Sequence, residues 1–306
     1  MTEKNGNGSE EVVLFEERTY YEKKIGNIRF SVVIPCYNNQ QYLTECLSSV
    51  LNQSFEDVEI IVVDDHSKSF NKDSVVSFVE ENRRKNISRI VVYQNPENYG
   101  TVKSLNGAIK KATGEYIKIL AADDALYDEL VLHDVVKDFS TNNSELLIYD
   151  VMKCDNEMEE IGVYRNEFLN SINSSTPFEN FEKLCIRNRI YATGVFFKKE
   201  FFNIYGYFDE EYRLLEDWPT WLRYLLNGGT LKYIQRISTK YRTDAGVVSN
   251  CNLMFLEDRR KVFYEIIKPE KKRIKTTLYF KAMIAANIIS NVPLRKTYNK
   301  ISSLFK

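Results

Sequence analysis

The chain has 306 residues, 43% of them apolar, and a formal net charge of -1, which suits one large globular domain or two modest ones and excludes a disordered or fibrous chain. The charge is uneven: from Met254 onward 13 Lys/Arg face 4 Asp/Glu, so the main body is acidic and no nucleic-acid partner is expected for it. The five cysteines, Cys36, Cys46, Cys154, Cys185 and Cys251, include no Cys-x-x-Cys pair; neither a disulfide framework nor a zinc site is indicated, and a reducing compartment follows.

Residues 1–27 are rich in Gly, Asn, Glu and Lys and read as a flexible leader. No signal-peptide stretch follows the polar start, and no run nears the roughly 18 apolar residues that span a bilayer. The expectation is a cytoplasmic protein, lying at most against the inner face of a membrane. From Phe30 a β-branched run predicts a buried strand that Pro35 terminates, because proline lacks the ladder's N–H. Tyr42, Leu43, Cys46, Leu47 and Val50 recur at helical spacing and predict a helix over 40–52. A strand over 58–63, a helix over 73–82 and a strand over 90–93 follow, then the turn-rich stretch 95–100. Leu105, Ala108, Ile109 and Ala112 mark the next helix, with Gly114 at a C-cap position, and 116–120 reads as a strand. This alternation argues for βαβ units and a mostly parallel sheet flanked by helices.

The second half is less regular. Strands are predicted over 146–152, 194–197 and 231–234, helices over 177–186, from 199 and over 218–226, and a polar loop over 170–176. Two helices close the chain, marked by Phe255, Val262, Phe263, Ile266 and Ile267, then by Ile274, Leu278, Ala282, Ala285 and Ile289, with Pro269 and Pro293 as breaks.

Three apolar runs end in polar groups: Ile34-Pro35-Cys36-Tyr37-Asn38, Val63-Asp64-Asp65 and Leu120-Ala121-Ala122-Asp123-Asp124. Open α/β sheets bind ligands beyond the carboxyl ends of their strands, so all three address one crevice suited to a cation carrying a phosphate. Asp123 and Asp124 offer oxygen ligands for Mg²⁺ or Mn²⁺; the alternative is a capped turn. Asp65 suits a base edge or ribose hydroxyl, or equally a turn, and Tyr37 presents a ring for stacking. Glu216 and Asp217 open a helix, where acids ordinarily serve the dipole; the other reading is a general base. The glycines supply neither a P-loop nor a dinucleotide fingerprint.

Five blocks then stand in order: Ser31-Val-Val-Ile-Pro-Cys-Tyr-Asn38, Ile60-Ile-Val-Val-Asp-Asp-His-Ser67, Asn98-Tyr-Gly-Thr-Val-Lys-Ser-Leu-Asn-Gly-Ala-Ile109, Gly114-Glu-Tyr-Ile-Lys-Ile-Leu-Ala-Ala-Asp-Asp124, and Gly206-Tyr-Phe-Asp209 leading to Glu216-Asp217-Trp218. Over about 30–249 the chain resembles the family-2 inverting glycosyltransferases of the GT-A fold. The resemblance implies a Rossmann-like, mostly parallel sheet with a helical C-terminal extension. It places Pro35, Tyr37, Asn38, Asp65 and Lys103 at the nucleotide, Asp123 and Asp124 at a Mn²⁺ or Mg²⁺ ion on the diphosphate, and Asp217 as general base. Glu216 and Asp244 are further candidates, Asp244 standing where the family often has His. The opening acid of the family's Asp-x-Asp is Ala121, so fewer carboxylates hold the metal. The implied reaction moves a sugar, UDP-linked by preference, to a glycan or lipid-linked acceptor in bacterial surface-polysaccharide or glycolipid assembly.

The implied organisation is a catalytic domain over 28–250, its donor half 28–125 and its acceptor half 126–250, before a basic helical tail over 251–306. Residues 255–306 either touch an anionic membrane surface or pack on the domain or on a second copy. Two other readings stay open: a nucleotide-sugar-binding protein without turnover, which Ala121 favours, and a receiver-like phosphoacceptor module, which Ile60-Ile-Val-Val-Asp-Asp suggests but the preceding strand and helix disfavour.

Overall fold

The computed structural model describes residues 11–12, 20–24, 29–243 and 253–288. They fall into two compact units: the first runs through Arg165 and adds Tyr191–Tyr207 and the segment from Lys232; the second holds Asn166–Ile190, Phe208–Leu231 and the segment from residue 253.

The first unit is one sheet with helices on it. Its strands are β1 (Glu11–Val12), β2 (Tyr20–Lys24), β3 (Phe30–Cys36), β4 (Val58–Asp64), β5 (Ile87–Gln94), β6 (Tyr116–Ile119), β7 (Ala125–Leu126), β8 (Leu146–Cys154), β9 (Glu160–Tyr164), β10 (Val195–Lys198) and β11 (Lys232–Arg242). Their order is β1-β2-β5-β4-β3-β6-β10-β8-β11-β7, with β9 paired to β8. The centre, β5-β4-β3-β6, is parallel throughout, as the alternation of elements predicts. Its strands are apolar on both faces because helices cover both. Those of the first unit are α1 (Gln40–Leu51), α2 (Lys72–Asn82), α3 (Thr101–Lys111), α4 (Val131–Thr141) and α7 (Glu200–Tyr205); the second unit has α5 (Glu167–Ile172), α6 (Pro177–Leu184), α8 (Asp217–Leu226), α9 (Leu253–Val262) and α10 (Thr276–Ile288).

Five local expectations change on folding. Pro35 does not end β3: pairing with β6 stops at Val33, so the missing N–H of Pro35 falls where that ladder has already finished. Gly114 is not the cap of α3, whose capping residue is Ala112. It is a close-approach glycine, since a Cβ there would lie 2.6 Å from Ser31 Oγ and 2.8 Å from Ser31 N, and its N–H donates to Ser31 Oγ at 2.9 Å. The strand expected over 231–234 runs to Arg242, because register shifts between Ile234 and Thr239 interrupt the alternation that marks a strand in sequence. The polar loop expected over 170–176 includes the end of α5. The antiparallel pair β2 and β5 places a strand inside the stretch whose composition reads as a leader.

In the second unit α6 starts on a capping box: Thr176 Oγ1 accepts from Glu179 N, and Glu179 Oε2 accepts from Thr176 N at 2.8 Å. The end of α9 widens into a π-type turn, with Lys268 N donating to Phe263 O at 2.8 Å. Phe263, Ile266, Ile267, Ile274 and Tyr279 of this C-terminal segment are buried, and Lys275 N donates to the buried Glu182 of α6 at 2.7 Å. No helix among the described residues is long and apolar enough to cross a membrane.

Candidate active site

The carboxyl end of β3 is the centre of the first unit's site. On one side Asp65 N donates to Cys36 O at 2.8 Å, and on the other Ala122 N donates to Pro35 O at 3.2 Å. The three strand ends singled out in the sequence therefore meet. Tyr37 is 45% exposed there, a ring open to a ligand. The next residue, Asn38, has φ of 54°, a left-handed conformation uncommon outside glycine. Its N–H donates to Ser67 Oγ at 2.8 Å, and Ser67 is in turn held by Asp64 at 2.5 Å and 2.7 Å. Asp64, fully buried, also takes Gln94 Nε2 at 2.8 Å, so this first acid of the pair is a tie between strand ends.

Asp65 is different in kind. Its Oδ1 accepts from Asn95 Nδ2 at 3.0 Å, Tyr99 N at 2.8 Å and Ser104 Oγ at 2.7 Å, whereas Oδ2 accepts, among the described residues, from Gly100 N alone at 2.8 Å. A carboxylate offers about four lone-pair sites, and one site on Oδ2 is left for a ligand donor. Gly100, at φ 81°, is the glycine whose positive φ lets the chain turn its N–H onto Asp65 at the start of α3. Lys103 follows in the first turn, its Nζ 3.8 Å from the centre of the Tyr99 ring. The residues that the resemblance places at a nucleotide thus stand along one connected stretch: Pro35 at the end of β3 with Tyr37 and Asn38 just beyond it, Asp65 just beyond β4, and Lys103 in the first turn of α3.

Asp123 and Asp124 divide the work that the sequence assigned to them jointly. Asp124 is turned inward: Oδ2 accepts from Thr193 Oγ1 at 2.7 Å and Oδ1 from Arg242 N at 3.3 Å. Burial, then the neighbouring Asp123 charge, pushes its carboxyl up to about 7. The Asp123 carboxylate accepts no hydrogen bond from another residue among the described residues; burial raises it, while its own backbone N–H and then Arg242 oppose the rise. No group of three or more His, Cys, Asp or Glu suited to a metal stands among the described residues. A divalent ion bound through one protein carboxylate plus water and substrate phosphates still fits, since Mg²⁺-type sites are commonly built that way.

Two buried cations support this turn, and neither was singled out in the sequence. Arg242, 2% exposed, donates from Nε to Asp123 O at 3.2 Å, from Nη1 to Asn156 O, and from Nη2 to Glu45 at 2.5 Å, with its guanidinium 4.3 Å from the centre of the Tyr42 ring. Lys118, fully buried in β6, donates from Nζ to Thr193 O; burial pushes it down to about 7, against the pull of Asp124. The signal for Lys118 is a lone polar residue in the apolar run Tyr116–Ile119; for Arg242 it is a cation beside Tyr241 at the end of a strand.

The second unit holds the other acids. Asp217 opens α8, with Oδ2 accepting from Asn188 Nδ2 and Oδ1 from Trp218 N, both at 2.5 Å. Glu216 precedes it. Dense protein around the pair disfavours charge and raises both carboxyls, Glu216 further because it also faces the Asp217 charge. Asp258 of α9 accepts from Arg213 N at 3.1 Å and Leu214 N at 2.9 Å, fastening the loop that leads to the pair. Asp244 lies outside the described residues.

The sequence model of Glycosyl transferase family 2 matches residues 31–205, more than half the chain. The chain belongs to glycosyl transferase family 2. Among curated relatives of this family-2 chain, an uncharacterized glycosyltransferase of Rickettsia felis is 24% identical over 287 residues, covering 90% of this chain and 45% of its own; the chain thus spans less than half the length of that relative. Among solved structures, S. aureus TarS 1-349 in complex with UDP-GlcNAc superposes with a TM-score of 0.59 at 18% identity, covering 86% of this chain and 82% of that one. A mannosyltransferase from Pyrobaculum calidifontis in complex with GDP-Man and Mn²⁺ gives a TM-score of 0.58 at 16% identity over 91% and 81%. These structural likenesses are likenesses of fold, and they agree with the mostly parallel, GT-A-like sheet of the family-2 chain.

Proposed function

We propose that this family-2 glycosyltransferase moves a sugar from a UDP-linked donor to an acceptor hydroxyl with inversion at the anomeric carbon, in the assembly of a bacterial surface polysaccharide or glycolipid. The observation that carries the reading is the asymmetry of the two terminal acids: Asp124 is consumed by Thr193 and Arg242, while Asp123 is left for a ligand. In this reading Tyr37 stacks on the base, Oδ2 of Asp65 accepts from the base edge, and Lys103 neutralises phosphate charge. Asp123 holds Mn²⁺ or Mg²⁺, which when bound supplies Lewis-acid stabilisation of the leaving diphosphate. Asp217 takes the proton of the acceptor hydroxyl as it attacks; its raised affinity for protons suits a base that must hold one, and Asn188 keeps Oδ2 oriented. Glu216 stays protonated beside it and lets Asp217 be the charged member.

The raised competitor is a nucleotide-sugar-binding protein without turnover, which Ala121 and the inward Asp124 favour by leaving a single free carboxylate. Release of UDP on incubation with UDP-sugar and acceptor supports transfer; donor binding with no UDP release in any acceptor extract supports the competitor. Contact with an anionic membrane surface is part of the proposal for the C-terminal segment, where Tyr264 and Phe280 are exposed and Arg260 and Lys268 flank the Tyr264 ring. Co-sedimentation with phosphatidylglycerol vesicles that vanishes in Tyr264→Ser/Phe280→Ser supports it.

A further inference from the structure

Three tyrosines of the first unit stand in a row. The rings of Tyr164 and Tyr191 are edge to face with centres 3.9 Å apart, and Tyr191 and Tyr241 follow at 5.3 Å. All three are half-buried, and none of their hydroxyls has a hydrogen-bond partner among the described residues. None of these hydroxyls is an unsatisfied buried atom; half-buried, they are open to a ligand's hydroxyls as they are to water, and Lys153 Nζ stands 5.1 Å from the centre of the Tyr164 ring.

The row begins at the acidic turn. Thr193, two residues after Tyr191, and Arg242, next to Tyr241, both donate to Asp124, so one carboxylate braces the two segments that carry these rings. Gly194 adds to the bracing, because a Cβ there would lie 2.7 Å from Tyr149 O and the turn could not sit against β8. At the far end Arg165, next to Tyr164, is locked onto the fully buried Asp150 through Nε at 3.0 Å and Nη2 at 2.7 Å, and Asp150 also takes Tyr233 Oη at 2.5 Å. Each ring is thus one or two residues from a buried polar lock, and little ordering is left for a ligand to impose.

We infer that Tyr164, Tyr191 and Tyr241 form a platform for the acceptor of the reaction and that this acceptor is a saccharide presenting pyranose rings. A pyranose has one face of C–H groups that packs on an aromatic ring and a rim of hydroxyls that pair with phenols. A polyol phosphate chain or a lipid tail matches only half of that chemistry. The inference rests on the transferase reading for the word acceptor; the platform itself rests on the rings and their locks.

The test is saturation-transfer-difference NMR on the full chain with UDP present, using methyl β-glycosides of glucose, galactose and N-acetylglucosamine as probes. The expected result is saturation of the ring C–H protons of at least one probe, falling about fivefold or more in Tyr164→Ala/Tyr191→Ala and partly retained in Tyr164→Phe/Tyr191→Phe. Tyr164→Leu keeps bulk on β9 and gives the same readout should the double alanine variant fail to fold. Equal saturation in parent and Tyr164→Leu, or none with any probe in the parent, overturns the platform. Probe signals abolished by UDP-N-acetylglucosamine but untouched by UDP assign the rings to the donor sugar and overturn the acceptor. UDP affinity, titrated separately by calorimetry, is expected to stay within about twofold in every variant; a parent that binds probe but no UDP refutes the donor reading and leaves the platform intact.

Discussion

Arg242→Met keeps an apolar stem of similar length but removes the guanidinium beneath the acidic turn. The carbonyls of Asp123 and Asn156 lose their donor; the buried one, of Asp123, is left unsatisfied at about 1–3 kcal/mol, whereas Asn156 is exposed and rehydrates. Glu45 loses its ion pair too, but its side chain is 49% exposed and rehydrates, so that share is about 0–1 kcal/mol. The ring contact with Tyr42 is partly restored by the methionine sulfur. The bond from Arg242 N to Asp124 is main-chain and survives. The sum is a destabilisation of about 2–3 kcal/mol, a large fraction of the 5–15 kcal/mol of an ordinary domain. Urea unfolding followed by far-UV circular dichroism measures it; tryptophan emission would not, because Trp218 and Trp221 both lie in the second unit. Arg242→Lys, which can reach one of the acceptors, is expected to recover about half, and Glu45→Gln to stay within about 1 kcal/mol of the parent. A loss below about 1 kcal/mol for Arg242→Met would refute the claim that this guanidinium holds the turn.

Asp217→Asn is expected to remove transfer by at least about 10²-fold while UDP affinity changes less than about twofold, measured by UDP release and calorimetry; transfer at the parental rate ends the base assignment. Glu216→Gln tests the acid pair through pH. A carboxyl raised in the native state binds its proton more tightly folded than unfolded, so it favours folding at low pH and that contribution is lost as pH rises through the native value. The parent should therefore lose stability from about pH 5 to 8, and Glu216→Gln should flatten that slope; identical slopes would show that Glu216 ionises freely. Asp65→Asn presents an amide N–H₂ to the N–H groups of the 99–100 turn, so a cost of about 2 kcal/mol and loss of UDP binding are expected, and unchanged UDP affinity would remove Asp65 from the nucleotide site.

The meeting of the three strand ends was legible in the sequence because it rests on main-chain geometry. Strands β3, β4 and β6 are short apolar runs whose last residues must surface together, and Gly100 marks the turn that Asp65 holds. Side-chain direction was not legible: nothing in the dipeptide Asp123-Asp124 says that the second acid turns to Thr193, 69 positions away. Arg242 escaped for the same reason, since its partners Glu45, Asp123 and Asn156 come from three separate segments. The length of β11 was hidden by its bulges, and the tail's basic residues did not show that its apolar residues Val262, Phe263, Ile266 and Ile267 are buried or that Asp258 and Lys275 tie it to the loop and helix beside Asp217.

The central claim is that Asp123, without help from Asp124, couples a divalent ion to a nucleotide-diphosphate donor. Calorimetric titration of UDP-N-acetylglucosamine into the parent and Asp123→Asn, each with Mn²⁺ and with chelator, tests it most directly. The account predicts binding by the parent that tightens about tenfold or more with Mn²⁺ and an Asp123→Asn variant that binds equally weakly in both conditions. Binding by the parent that ignores Mn²⁺, or a variant that keeps the full response to it, would contradict the account.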